Sequence, residues 1–427
     1  MILSTLRNAG FSAWLVGGCV RDLLLGVPPK DYDVATNARP EQIAELFPQA
    51  LAVGAHFGVM LLNGVEVATY RSDGTYADGR RPDSVRFETD PNADACRRDF
   101  TINGMFLDPD TGEVLDFVGG RKDLANRIIR AIGDPERRFA EDHLRILRAV
   151  RFAARLGFDI EPRTMEAMRL AAESVRKMAV ERVFGELNRI LTEGGASRGM
   201  ELLDQSGVLE ILLPEVKAMQ GIEQPPEYHP EGDVWVHTLK MLELMGKADA
   251  DLAWGVLLHD VGKPVTMTQE DRIRFSGHDR VGAEMSRQIL TRLRAPNALV
   301  ERVEAMVQTH MRFNDLPRMR VSTTKRFLRQ DYFPQLLNLH RLDCLGSGGR
   351  LESHEFAVAK MAELGQEELQ PAPLVTGRDV MALGVPAGPR VGALLREVEE
   401  AQLEGALRDR NAALDWLRKQ VSEPSST

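Results

Sequence analysis

At 427 residues the chain exceeds one ordinary hydrophobic core and calls for roughly two to four domains. Its 43% hydrophobic and 27% charged residues are those of a globular protein in water, and its net charge of −9 excludes one that coats nucleic acid by whole-surface attraction. The three cysteines, Cys19, Cys96 and Cys344, lie too far apart for a disulfide framework or a CxxC zinc pattern, and no apolar run reaches the length of about eighteen residues that spans a bilayer. Met1–Phe11 lacks the basic-then-apolar layout of a signal peptide, so a reduced, cytoplasmic protein without membrane contact is expected.

Residues 12–120 alternate short β-like runs with turns: AWLVGG, GVMLLNGVEVATY, VRFETD, TINGMFLDP and VLDFVGG. A helix is expected from near Val20 to Gly26, and another over Pro40–Leu46. After about Asp134 the pattern turns helical, with Leu144, Leu147, Val150 (or Phe152) and Ala154 at helical spacing and Pro135 suited to a first turn. Pro/Gly-rich stretches at 212–233 and 368–377 read as domain boundaries, and no internal repeat or low-complexity block is present.

The run VGGCVRDLLLGVPPKDYDVAT (16–36) carries the first chemistry. On a strand, Asp31 and Asp33 share a face and suit Mg²⁺ held against a nucleoside triphosphate. Gly17 and Gly18 ahead of a helix offer backbone N–H groups to phosphate, and Arg21 adds a forked cation. RRDFTINGM (97–105) adds Arg97, Arg98 and a third carboxylate, Asp99, beside that site. YRSDGTYADGRRP (70–82) has no core-forming residues and suits a mobile arm.

Residues 121–155 hold ten Lys/Arg against five acids, a local basic surface that permits a nucleic-acid partner. Within them Asp142, Arg145, Arg148 and Arg151 recur at spacing three as one helical stripe. Such a stripe is either a solvated face, or one where Asp142 and Arg145 meet a base edge while the other arginines hold phosphates.

Histidines cluster further on: His237, His259, His278 and His310, with His229 upstream. LLHDVGK (257–263) sets His259 beside Asp260 after an apolar run. With His237 and Asp343 from other helices, this pair builds an N/O site for a divalent transition metal, and His278 and His310 complete a second position.

GGCVRDLLLGVPPKDYDVAT, RRDFTINGM and EDHLRILRAVRFAARLGF together closely resemble motifs of the bacterial class II tRNA nucleotidyltransferases, over about residues 12–215. That family includes CCA-adding, CC- or A-adding enzymes and poly(A) polymerases. The resemblance implies an α+β protein: a small mixed-sheet, palm-like nucleotidyltransferase head (1–133), an all-α neck and body (134–220), an all-α HD domain (221–350) and a helical tail (351–427). It implies that Asp31 and Asp33 bind catalytic Mg²⁺, that Gly18, Arg21 and Arg98 contact the nucleotide, that Asp142 and Arg145 select CTP or ATP, and that Arg148 and Arg151 adjoin them.

RSDGTYADGRRP resembles the loop the family needs for the final A, which disfavours a CC-only enzyme. The basic run of bacterial poly(A) polymerases is not found; VGAHFGVMLL (53–62) occupies that region. Residues 237–345 resemble the HD phosphohydrolase superfamily and imply metal-dependent phosphoester hydrolysis, with Lys263 contacting phosphate. The expected function is CCA addition to tRNA 3′ ends from CTP and ATP, without an obligatory protein partner. The rival readings are an A-adding enzyme, a poly(A) polymerase, or an HD phosphohydrolase with a non-catalytic RNA-binding head.

Overall fold

The computed structural model describes residues 1–54, 57–74, 84–227, 229–230, 232–269, 271–365 and 369–422. The chain divides into two compact units. The first comprises Met1–Gly221, Leu242–Ala253 and Ile289–Pro296; the second comprises Ile222–Met241, Trp254–Gln288 and Asn297–Thr427.

In the first unit α1 (Ile2–Asn8) leads into β1 (Ala13–Val16), α2 (Gly18–Leu24), β2 (Asp33–Thr36) and α3 (Pro40–Leu46). Then come β3 (Leu51–Gly54), β4 (Val59–Leu62), β5 (Val65–Thr69), β6 (Arg71–Asp73), β7 (Val85–Phe87), α4 (Pro91–Cys96), β8 (Phe106–Leu107), β9 (Val114–Leu115) and α5 (Gly120–Ala125). A seven-stranded sheet takes the order β3-β4-β5-β2-β1-β8-β9. It is mixed, because β2 and β5 run parallel while the other pairs run antiparallel. The stretch GVMLLNGVEVATY is the β4–β5 hairpin, whose alternation buries Met60, Leu62 and Val67. Most of the arm expected at 70–82 lies outside the described residues; β6 and β7 pair at its two ends.

Helix α2 begins at Gly18, two residues earlier than the sequence suggests. Gly17 takes φ +77° at the strand-to-helix corner, a conformation that glycine adopts without steric cost. A Cβ there would also stand 3.3 Å from Arg98 Nη1 and 3.6 Å from Asp33 Oδ2.

The helical part of this unit holds α6 (Pro135–Glu141), α7 (Leu144–Leu156), α8 (Pro162–Leu170) and α9 (Val180–Thr192). Asp142 does not continue a helical stripe. It is extended, with φ −142° and ψ 105°, and its Oδ1 accepts from Leu144 N at 3.1 Å. This short carboxylate bonds the backbone locally and so competes with the helix, ending α6 and starting α7. A two-residue parallel pair, β10 (Ile128–Ile129) with β11 (Asp159–Ile160), adjoins these helices. Ten of the 13 residues of α7 are buried, Arg145 and Arg151 among them.

The second unit is chiefly helical, with a small hairpin, Thr268–Gln269 against Ile273–Arg274, that departs from the all-α expectation. Its C-terminal helices Gly377–Ala382, Pro389–Leu403 and Arg410–Ser422 enclose a core of Val380, Val398, Ala413 and Leu417. Arg326 on the helix Val321–Leu328 and Arg329 at its C-cap reach Glu400 (3.2 Å) and Glu399 (2.6 Å) on the Pro389–Leu403 helix. Among the described residues no helix is long and apolar enough to cross a membrane.

Candidate active sites

The residues of the first unit singled out from the sequence line one cleft of about 1320 Å³: Gly18, Arg21, Asp31, Asp33, Arg98, Asp142, Arg145, Arg148 and Arg151, with Gly17, Arg97 and Asp99 beside them. Asp33 is the first residue of β2, and Asp31 lies just ahead of the strand. Burial raises the Asp33 carboxyl, and the charges of Glu66 and Asp31 raise it further against the pull of Arg98. Glu66 also lines the cleft. A half-buried Asp33 crowded by the exposed carboxylates of Asp31 and Glu66, with arginines lining the same cleft, fits a hard divalent cation that also binds phosphate oxygens.

The arginines are held by partners from other elements. Arg21, 3% exposed, donates to Asp22 Oδ1 (2.8 Å) and Asn103 Oδ1 (2.8 Å). Arg98 donates to Asp94 (2.8 Å); burial raises that carboxyl, but Arg98 and Arg97 outweigh burial and bring it below its usual value. Arg145 donates to Glu141 (2.9 Å), Arg148 to Asp99 (2.6 Å) and Arg151 to Glu186 (2.6 Å). Arg182 Nη2 lies 3.4 Å from Asp142 Oδ2. Asp99, expected beside the phosphate site, lines the same cleft and accepts from Arg148, Asn103 Nδ2 (3.1 Å) and Phe100 N (2.8 Å). Burial raises it, yet Arg148 and these donors bring it down to about 2.

In the second unit His237 sits on the helix Val234–Met245 and Asp343 on the helix Phe333–Ser347, as expected. His259 and Asp260, expected on a helix, occupy the turn just past Ala250–Leu258. His278 opens the helix His278–Arg292, and His310 follows Asn297–Thr309. Two ligand groups result, His237–His259–Asp343 and Asp260–His278–His310, each with its ligand atoms within 4.8 Å of one another.

The turn is packed without slack: a Cβ on Gly262 would stand 2.4 Å from His278 O and 2.7 Å from Gly282 N. His259, His278 and His310 each direct Nδ1 at a backbone carbonyl, of Val256 (2.8 Å), Phe275 (2.8 Å) and Val307 (2.6 Å). A carbonyl only accepts, so each Nδ1 carries the proton and each Nε2 keeps a lone pair for a metal. His259 Nε2 is buried without a hydrogen bond, although Asp260 Oδ2 lies 3.1 Å away. This orphaned nitrogen and the imidazole–carboxylate donor set fit a divalent transition metal.

Burial raises Asp260, but His259 and Lys263 take it well below the usual carboxylate range. Burial and the neighbouring His259 lower His310 to about 4, so it is a neutral ligand at pH 7. A cleft of about 1060 Å³ opens onto Asp260, His278, His310 and Asp343, with His229 on its wall. Lys263 Nζ, expected to meet phosphate, donates to Asp260 (2.7 Å) and Gln224 (2.6 Å).

Residues 13–130 match the Poly A polymerase head domain, residues 157–220 the probable RNA and SrmB-binding site of polymerase A, and residues 234–341 the HD domain. The A-adding tRNA nucleotidyltransferase of Deinococcus radiodurans is 36% identical over 436 residues, covering 96% of each chain. The CC-adding tRNA nucleotidyltransferase of Thermus thermophilus is 36% identical over 422 residues, covering 95% of this chain and 93% of that one. This chain belongs to the tRNA nucleotidyltransferase family. A solved structure, the Bacillus stearothermophilus CCA-adding enzyme in complex with CTP, has the same fold with a TM-score of 0.75 at 28% identity, covering 98% of this chain and 96% of that one.

In this tRNA nucleotidyltransferase, sequence reading passed over Glu66, which stands in register with Asp33 across β2 and β5. Its signal was a lone acid between Val65 and Val67, which alone reads as the solvent side of a strand. Arg182 and Glu186 on α9 were also missed; their spacing of four on one helix face was the available clue.

Proposed function

We propose that this tRNA nucleotidyltransferase adds C, C and A to tRNA 3′ ends from CTP and ATP without a nucleic-acid template. The reading rests on one observation, the convergence of Asp31 and Asp33, the arginines and the Asp142–Arg145 pair on a single cleft. In the reaction the ribose 3′-OH attacks the α-phosphate and pyrophosphate leaves. Mg²⁺ held by Asp31 and Asp33 would polarise the attacking and leaving oxygens. Gly18 N–H, Arg21, Arg98, Arg148 and Arg151 hold the triphosphate and orient its α-phosphate.

Asp142 accepts from an exocyclic amine while Arg145 donates to a ring nitrogen. Cytosine and adenine both present that pattern, and uracil and guanine present a carbonyl where the amine would be. The sequence of the 71–82 segment supports the complete product over CC alone.

We read the chain as head 1–133, neck and body 134–220, HD domain 221–350 and tail 351–427, working in the cytoplasm. In the HD domain, His237, His259, Asp260 and Asp343 would hold one divalent transition metal. His278 and His310 would hold a second, for phosphoester hydrolysis.

The test uses tRNA transcripts ending before CCA, after C and after CC, each with Mg²⁺ and CTP, ATP or both. Ordered C, C, A addition that then stops supports the proposal. A on the CC-ended transcript alone indicates an A-adding enzyme, and long A tails a poly(A) polymerase. Unchanged incorporation by Asp33→Ala overturns the mechanism.

A further inference from the structure

Three of the arginines assigned to the nucleotide meet at one aromatic ring. The guanidinium carbons of Arg21, Arg148 and Arg151 lie 5.1, 5.3 and 4.3 Å from the centroid of Phe152. Phe152 is 5% exposed and lines the cleft. Its ring stands edge-on to Phe100, with centroids 5.9 Å apart and planes at 80°. Phe100 is fully buried, and it directly follows Asp99, the partner of Arg148.

Three cations this close repel one another: burial chiefly lowers the affinity of Arg151 for its proton, Glu186 opposes it, and Arg148 adds a smaller lowering. Asp22, Asp99 and Glu186 offset part of that repulsion, but each further anion would also repel the incoming phosphates. The negative face of an aromatic ring steadies guanidinium groups without adding net charge. We propose that Phe152 is a positioning residue for the triphosphate, fixing Arg21, Arg148 and Arg151 at the mutual spacing the anion needs. This rests on the reading of the cleft as a nucleotide site.

The test compares Phe152→Leu, which keeps apolar bulk but removes the ring, with Phe152→Tyr, which keeps the ring. CTP binding is measured by calorimetry, and KM for CTP, ATP and tRNA together with kcat on primer transcripts. Phe152→Leu is expected to weaken CTP binding and raise KM for both nucleotides about tenfold, leaving kcat and KM for tRNA within about twofold. Phe152→Tyr should stay within about twofold of the parent on every measure. Unchanged CTP affinity in the leucine variant overturns the proposal, as does an equal loss in kcat and all KM values, or a tyrosine variant as impaired as leucine. If the parent binds CTP but extends no tRNA, the transfer reading fails while calorimetry still decides the role of Phe152. A parent that binds no CTP overturns both.

Discussion

Asp33 on β2 and Glu66 on β5 stand in register across a parallel ladder, so their side chains leave the same face of the sheet. The charge of Glu66 raises the Asp33 carboxyl, second only to burial. A cation between them would relieve that repulsion. Glu66→Gln is therefore expected to lower kcat about tenfold and to raise the Mg²⁺ concentration needed for half-maximal rate. A Mg²⁺ titration of single-turnover extension checks this, and an unaltered curve contradicts it.

Arg145 donates to Glu141 and to the carbonyl of Arg138, which presents its planar fork at the cleft. Arg145→Ala should cut the preference for CTP over UTP by about 10- to 100-fold, the scale of one bidentate base contact. Competition between the two nucleotides on one transcript reads the ratio directly. Equal loss with both would assign Arg145 to phosphate binding.

Asp99 is held near pKa 2 in the folded chain, against a usual 3.8. Its folded value is depressed, so the unfolded chain binds more protons in this window. The stabilisation is present above about pH 4 and is lost as pH falls towards 2; it amounts to about 2 kcal/mol. Urea unfolding of the parent should weaken more steeply between pH 5 and 3 than that of Asp99→Asn, by on the order of 1 kcal/mol, with the remainder lost as pH falls towards 2. Parallel pH profiles would show that Asp99 is not held down by Arg148.

Asp260 approaches His259 Nε2 (3.1 Å) and His278 Nε2 (3.5 Å), members of both ligand groups. Asp260→Ala should lower bound transition metal on dialysis and reduce hydrolysis of bis(p-nitrophenyl) phosphate by more than about 100-fold. Extension of tRNA should be spared. Elemental analysis and the two assays are read together, and loss of both activities would refute independent sites.

The motifs were legible because each packs its chemistry into a few consecutive residues. Gly18, Arg21, Asp31 and Asp33 sit within one strand–helix–strand passage, where local turn chemistry alone sets their juxtaposition. Glu66 was not legible, since its meaning comes from strand register, a non-local property. The helix break at Asp142 was hidden for a related reason. Spacing three suggested one continuous stripe, while the carboxylate's bond to Leu144 N diverts the backbone. His237 and Asp343 could be joined to the His259–Asp260 pair in advance only by their ligand chemistry, because more than a hundred residues separate them and spacing says nothing of their contact.

Arg145, Arg148 and Arg151 each already have a carboxylate: Glu141, Asp99 and Glu186. The cleft is thus closer to electroneutral than its arginines suggest, and on the proposed reading a nucleotide would enter by exchange with these carboxylates. Few counterions are then released on binding. Nucleotide affinity should therefore fall with ionic strength much less steeply than the arginine count implies, while tRNA affinity keeps the steep slope of a polyanion.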